Sequence, residues 1–246
     1  MSVWGKVAGL WRWPVKSMAG ESVGSLRVDW RGAGGDRTHA LWFEHKGSLR
    51  PLTAREAPGL LRWRASYPDV PGDALAPAAP PCPVLVAPDG GRFTWGDHDL
   101  AAALAADLGR PILTRRDNAG QQDLERSVLV TTRASHVALE AELEAPVDLR
   151  RFRTNLHLEL DAPAWVEEGW EGGSLAFDGG VTLRLLHPCR RCVIPTRDPD
   201  DVSRWPGLLK HLNAAHGTRF GINSRVETAG SIAVGERVAL TVALAG

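Results

Sequence analysis

This sequence predicts a β-rich α+β fold, and three observations support that. Short runs in which apolar and polar residues alternate recur through both halves of the chain. Turns rich in glycine, proline and aspartate separate them. Helical spacing of apolar residues is confined to three stretches. This rhythm is typical of antiparallel barrels and sandwiches.

Residues 2–13 alternate loosely and read as the first strand. SVGSLRVDW (22–30) alternates more clearly and enters the glycine-rich turn RGAGGD. THALWFEH and SLRPLT read as two strands joined at Lys46-Gly47. The proline-rich segment 67–83 reads as an exposed loop, and PVLVAP with RFTW as a hairpin about Asp89-Gly90-Gly91. Residues 97–109 have apolar residues at helical spacing, Asp97 placed to cap the start and Gly109 to end the turn. PILTRR (111–116) returns to strand. Residues 117–125 are polar and unpatterned, which makes them the natural place to divide the chain.

Beyond that point SVLVTT (127–132) reads as a buried strand and RASHVALEAELEA as a helix. Residues 148–160 read as a strand in which polar side chains interleave with Phe152, Leu156 and Leu158. VTLRLLHP (181–188) is another strand, leading into Cys189-Arg190-Arg191-Cys192. A helix is expected near 205–215 and a closing hairpin about Gly235 over 231–244.

Composition narrows the function classes. In 246 residues, 43% are apolar and 24% charged, as in soluble globular chains. Twenty-nine basic residues balance twenty-nine acidic ones, which excludes a globally basic nucleic-acid surface but not a local basic pocket. Three cysteines cannot build a disulfide framework and suggest a reducing compartment. The N-terminus lacks the apolar stretch of a signal peptide. The longest apolar run, near Leu100, falls well short of the ~20 residues of a membrane span. A cytoplasmic location without membrane or nucleic-acid partners is expected. Ten tryptophans against one tyrosine and five phenylalanines are expected mainly as core filling.

Cys189-x-x-Cys192 is the sharpest local feature. It fits half of a zinc site, a redox dithiol, a thiolate ligand to a softer metal, or simple apolar filling. Cys82 and the scattered histidines supply no matching second zinc pair, and no histidine is expected as a ligand. On a strand, Arg151, Arg153 and Asn155 would share one face and form a fork for phosphate or a polar heterocycle. Lys16 and Ser17, after an apolar strand, and Arg37, after a glycine turn, add donors.

In order, PVKS, GDR, TAR, RFRTN and a strand ending in C-x-x-C before DPD resemble the MOSC family. More specifically, they resemble its two-part members, such as the amidoxime-reducing components. The resemblance covers nearly the whole chain. It implies an N-terminal β-barrel-like domain over 1–116 and a MOSC β-barrel domain over 117–246, packed closely about a shared site. It implies a molybdenum cofactor (molybdopterin) with Cys192 as the metal ligand. Lys16, Ser17, Arg37, Thr132, Ser135, Arg153, Asn155, Arg190 and Arg191 would hold the pterin and its phosphate. Asp198 and Asp200 would stand near the metal with a catalytic part. The family is also associated with pyridoxal phosphate binding. The implied reaction is reduction of small N-hydroxylated or N-oxygenated compounds, with electrons from a separate donor protein. The alternative is a sulfur carrier or cofactor-binding module that uses Cys192 as persulfide or ligand. A third reading is a structural zinc or thiol-paired site in a non-enzymatic protein. Two departures stand out. Thr154 occupies a common proline position, and Asp201-Val202 follows DPD where the family carries Thr-Gly, changing charge and flexibility nearby.

Overall fold

The computed structural model describes residues 2–116 and 126–242; the boundary expected at 117–125 lies outside the described residues. The first half runs β1 (Ser2–Arg12), β2 (Glu21–Val23), β3 (Ser25–Asp29), β4 (Gly32–Ala33), β5 (His39–His45), β6 (Ser48–Leu52), β7 (Arg64–Ser66), β8 (Val84–Val86), β9 (Arg92–Thr94), α1 (Leu100–Leu108) and β10 (Leu113–Arg116). The second runs β11 (Val128–Thr132), α2 (Arg133–Leu143), β12 (Leu156–Leu160), β13 (Ser174–Phe177), β14 (Thr182–Arg190), α3 (Pro206–His216), β15 (Arg219–Thr228), β16 (Gly230–Ala233) and β17 (Arg237–Thr241). The β-rich fold class expected from the alternation is the one found.

Seven strands close a barrel in the order β12-β11-β15-β14-β13-β17-β1, with β1 returning to β12 and β2 hanging from β1. All neighbours are antiparallel except β11 and β12, a parallel pair joined through α2. Parallel strands need such a crossover, because a tight turn cannot bring the chain back to the same end. Val7, Leu10, Val130, Leu158, Leu183, Ile222 and Leu240 fill the interior with their neighbours. Each large aliphatic buried this way contributes roughly 1.5–3 kcal/mol relative to exposure. Strand β1 passes so close to β12 that a Cβ on Gly5 would sit 2.1 Å from the Glu159 carbonyl oxygen. That explains a glycine in mid-strand.

A second core gathers Val15, Met18, Leu41, Leu52, Leu60, Trp63, Leu85, Leu100 and Leu104 beneath two three-stranded sheets, β10-β5-β6 and β7-β8-β9. The division of hydrophobic contacts therefore differs from a cut at 116. Val7, Leu10, Leu26 and Val28, from β1 and β3, belong to the barrel core. A third cluster ties α2 and α3 together through Leu139, Leu208, Leu212, Phe152 and Phe220.

Several local expectations are corrected. The 22–30 strand is broken into β2 and β3 at Gly24. The helix at 97–109 forms as α1, with Gly109 left-handed at its end. Its N-cap is Asp99, without a side-chain capping bond, while Asp97 Oδ2 accepts from Thr94 N at 2.6 Å. The proline-rich loop is not simply exposed. Tyr67 and Leu75 are buried, and the buried Arg12 donates to the Tyr67 and Val70 carbonyls at 3.2 and 3.1 Å. The closing hairpin does not form. β16 pairs with β3 and β17 with β1 and β13, so the turn at Gly235 sends its two arms to different sheets.

Most important for the site, residues 148–160 are not one strand. Leu149–Phe152 form a 3-10 turn capped by Asp148, Arg153 is left-handed at φ 53°, and β12 starts at Leu156. Arg151, Arg153 and Asn155 therefore do not share a pleated face.

Candidate functional site

One rim of the barrel, at the start of β11, the approach to β12 and the end of β14, faces segments of the second core. A cavity of about 300 Å³ opens between them. From the barrel side it is lined by Ser127, Leu129, Arg151, Phe152, Arg153, Cys189, Arg190, Arg191, Cys192 and Asn223. Lys16, Ser17, Arg37, Thr53 and Arg55 line it from the opposite side. Among the described residues, seven lysines and arginines line this cavity and no carboxylate does. A chain of zero net charge has thus concentrated cations in one concave site, where low-dielectric walls focus their field.

The backbone delivering these groups is unusual. Ser17, Arg37 and Arg153 all have positive φ, at 70°, 50° and 53°. Non-glycine residues there cost energy and persist where surrounding structure holds them, often at functional sites. Arg37 is held by Asp36, whose Oδ2 accepts from Arg37 Nη1 at 2.5 Å, and its Nη2 donates to the Arg153 carbonyl at 3.0 Å. Asp36 is fully buried. Burial pushes its carboxyl up, against the opposing pull of Arg37, the Trp13 amide, Asn155 and Arg153. Arg153 lies 4.5 Å over the Trp13 ring and donates to the Met18 carbonyl at 2.6 Å.

Both expected cysteines reach the cavity. Cys189 is the penultimate residue of β14, and Cys192 follows the strand; both are free and half-buried. Between them, Arg191 spends its guanidinium on the backbone. Nε and Nη2 donate to the Phe220 carbonyl at 2.9 and 2.5 Å, and Nη1 to the Phe152 carbonyl at 3.0 Å. Burial lowers its pKa, opposed by the two cysteine sulfurs. Arg191 braces the loop that carries the thiols, while Arg190 is exposed at the mouth.

Of the residues singled out from sequence, Lys16, Ser17, Arg37, Arg153, Arg190, Arg191 and Cys192 come together at this cavity. Five do not line it. The Asn155 amide is consumed beneath the wall. Its Nδ2 donates to Trp11 O and Asp36 Oδ1, and its Oδ1 accepts from Arg37 Nη1 and Leu129 N. Thr132 caps α2, and with Ser135 it donates to the buried Glu167 at 3.3 and 2.7 Å, so both hydroxyls serve an internal carboxylate. Asp198 Oδ2 accepts from Arg151 at 2.8 Å, and Asp200 is gripped by both Nη atoms of Arg150 at 3.0 and 2.7 Å. The Arg150 bonds hold the Asp200 carboxyl below its ordinary value.

Thr53, Arg55, Ser127 and Asn223 were absent from the expected ligand set, and Arg151 was expected only as part of a strand-face fork that does not form. TAR carried the first two in plain sight. Asn223 gave no signal, because a polar residue on a strand reads as solvent-facing until the barrel closes.

Comparison with known proteins supplies the remaining observations. Residues 97–239 match the MOSC domain and residues 4–88 the MOSC N-terminal beta barrel domain. The chain is 24% identical to mitochondrial amidoxime reducing component 2 of Bos taurus over 286 aligned positions, covering 95% of this chain and 82% of that protein. The crystal structure of the YuaD protein from Bacillus subtilis superposes with a TM-score of 0.53 at 16% identity, covering 99% of this chain and 98% of the other. The likeness to YuaD is one of fold.

Proposed function

The chain belongs to the MOSC family, and from that premise we propose that it is a molybdenum-cofactor oxidoreductase reducing small N-hydroxylated compounds. The observation that carries this reading is one cavity that, among the described residues, holds two free thiols and seven cations with no lining carboxylate. The donor chemistry fits the cofactor. A thiolate suits a soft metal centre, and guanidinium forks suit a phosphate and the polar edge of a pterin. The volume lies at the lower end of small-molecule sites.

Cys192 would ligate the metal. Arg37, Arg153 and Lys16 would take the phosphate and pterin, joined by Arg55 and Arg151. When bound, the group supplies two-electron redox chemistry at the metal. The protein's own contributions are orientation and electrostatics. Asp36, Asn155 and Asp198 fix the guanidinium groups before any ligand arrives, so little reorganisation accompanies binding. Electrons would come from a separate donor protein, as the resemblance to the amidoxime-reducing components implies. No helix among the described residues is long and apolar enough to cross a membrane.

The test is metal and pterin content of protein made in a cofactor-competent host, beside Cys192→Ser and Cys189→Ser. Near-stoichiometric molybdenum in the parent and Cys189→Ser, lost in Cys192→Ser, is expected, together with reduction of a model amidoxime by a chemically reduced dye. A parent protein without molybdenum refutes the reading. Labile sulfur on Cys192 without stoichiometric metal would favour sulfur transfer instead.

A further inference from the structure

Away from the cavity, α2 and α3 bring together three side chains that no spacing rule would join. His211 Nε2 and His216 Nε2 stand 2.6 and 2.7 Å from the same oxygen, Glu142 Oε2. The three potential ligand atoms all lie within 4.8 Å of one another. None of the three residues lines the cysteine cavity.

The surroundings are built around this convergence. Trp165 Nε1 donates to the other carboxylate oxygen, Glu142 Oε1, at 2.9 Å, and so turns Oε2 towards the histidines. The same indole stacks on His216, with ring centroids 3.4 Å apart and planes 15° apart. Trp165 is itself held at φ 66°, with its amide donating to Ser135 Oγ at 2.7 Å. A strained backbone position thus orients both a carboxylate and an imidazole. An ordinary surface ion pair needs no such support.

We propose that Glu142, His211 and His216 form a binding site for a divalent transition-metal ion of the zinc class. Two imidazole nitrogens and a carboxylate oxygen form a donor set that zinc accepts, leaving a fourth position open to water. The ligand atoms would open from 2.6–2.7 Å to roughly 3.3 Å apart, the separation that tetrahedral zinc bonds require. The partly exposed Glu142 can supply that movement by a side-chain rotation. Each coordinating Nε2 must present its lone pair, with the ring hydrogen carried on Nδ1. The Trp165 contact with Glu142 plays the part that hydrogen bonds to ligating groups play at metal sites.

The proposal is independent of the molybdenum reading, and its test keeps them apart. The full chain with Cys82, Cys189 and Cys192 all changed to Ser, stripped with chelator, is titrated with Co²⁺ and then Zn²⁺. One equivalent of Co²⁺ is expected, with tetrahedral visible absorption and no sulfur-to-metal charge transfer, displaced by Zn²⁺. In that background Glu142→Gln and His211→Gln, which keep helix-forming side chains of similar size, should each weaken binding by about 100-fold or more. Trp165→Phe should weaken it roughly 10-fold. Absence of binding, or unchanged affinity in folded Glu142→Gln and His211→Gln proteins, overturns the proposal.

Discussion

Asn155 and Arg37 lie 118 residues apart and meet through one hydrogen bond of 3.3 Å, Arg37 Nη1 donating to Asn155 Oδ1. Asn155 also donates to Asp36 at 3.0 Å, so one amide sets both the cavity-lining Arg37 and the buried carboxylate behind it. Asn155→Ala removes four hydrogen bonds, takes the acceptor from the buried Leu129 N–H and removes one of the donors to Asp36. The expected loss is roughly 2–4 kcal/mol by urea denaturation. Asn155→Asp should be worse, since it sets a second carboxylate against buried Asp36. An unchanged unfolding midpoint in either variant would remove Asn155 from its positioning role.

Val202 stands where the family resemblance leads one to expect glycine, and its φ is 60°. A β-branched side chain in the left-handed region is strained. Val202→Gly should raise stability by about 1 kcal/mol, after the greater freedom of glycine in the unfolded chain is deducted. Thermal unfolding of the two proteins measures it. A lower melting temperature for the glycine variant would mean that packing of the valine outweighs the strain.

Asp198 and Asp200 should behave differently on amidation. Asp198→Asn weakens the hold on Arg151, a cavity-lining cation, and should reduce pterin retention several-fold. Asp200→Asn acts on Arg150, outside that wall, and should leave amidoxime turnover within about twofold, in keeping with a partly exposed ion pair. A loss of turnover of 100-fold or more in Asp200→Asn, with pterin retained, would reinstate it as a catalytic group.

Acid should erode stability partly through His157. Burial, with His136 and Arg133 nearby, lowers its pKa from 6.5 to about 4. The unfolded chain therefore binds the proton more readily than the folded one. The contribution is complete above 6.5 and is lost progressively as pH falls towards about 4. Between about pH 7 and about pH 5 the parent should lose up to about 2 kcal/mol more than His157→Gln. Parallel stability–pH curves for the two proteins would show that His157 is not the titrating group.

Alternation made β5, β6, β8 and β9 legible within a residue or two, because each is a local strand whose turn chemistry is written beside it. The cysteine pair stood out locally, but its role, like those of Lys16 and Arg37, was readable only from the motifs in order. Composition showed a neutral chain and gave no sign that seven cations share one wall. Residues 148–155 misled because alternation also occurs in a tight turn. Nothing local says that Asp148 will cap Leu149–Phe152 and send Arg153 left-handed. Thr132 and Ser135 misled for another reason. Their role depends on Glu167, 35 and 32 residues away, which no helix-start signal mentions.

The barrel is sealed by its first and last strands, with Ser2 set opposite Thr241 and Lys6 opposite Arg237. Its closure therefore pairs segments more than two hundred residues apart. Synthesis must pass residue 241 before that seam can zip, so the growing polypeptide cannot complete the vessel as it emerges. Until then β1 offers an unpaired edge, a place where a second nascent copy could lodge. Joining residues 2 and 242 by a short linker and opening the chain elsewhere would turn this late step into an early one.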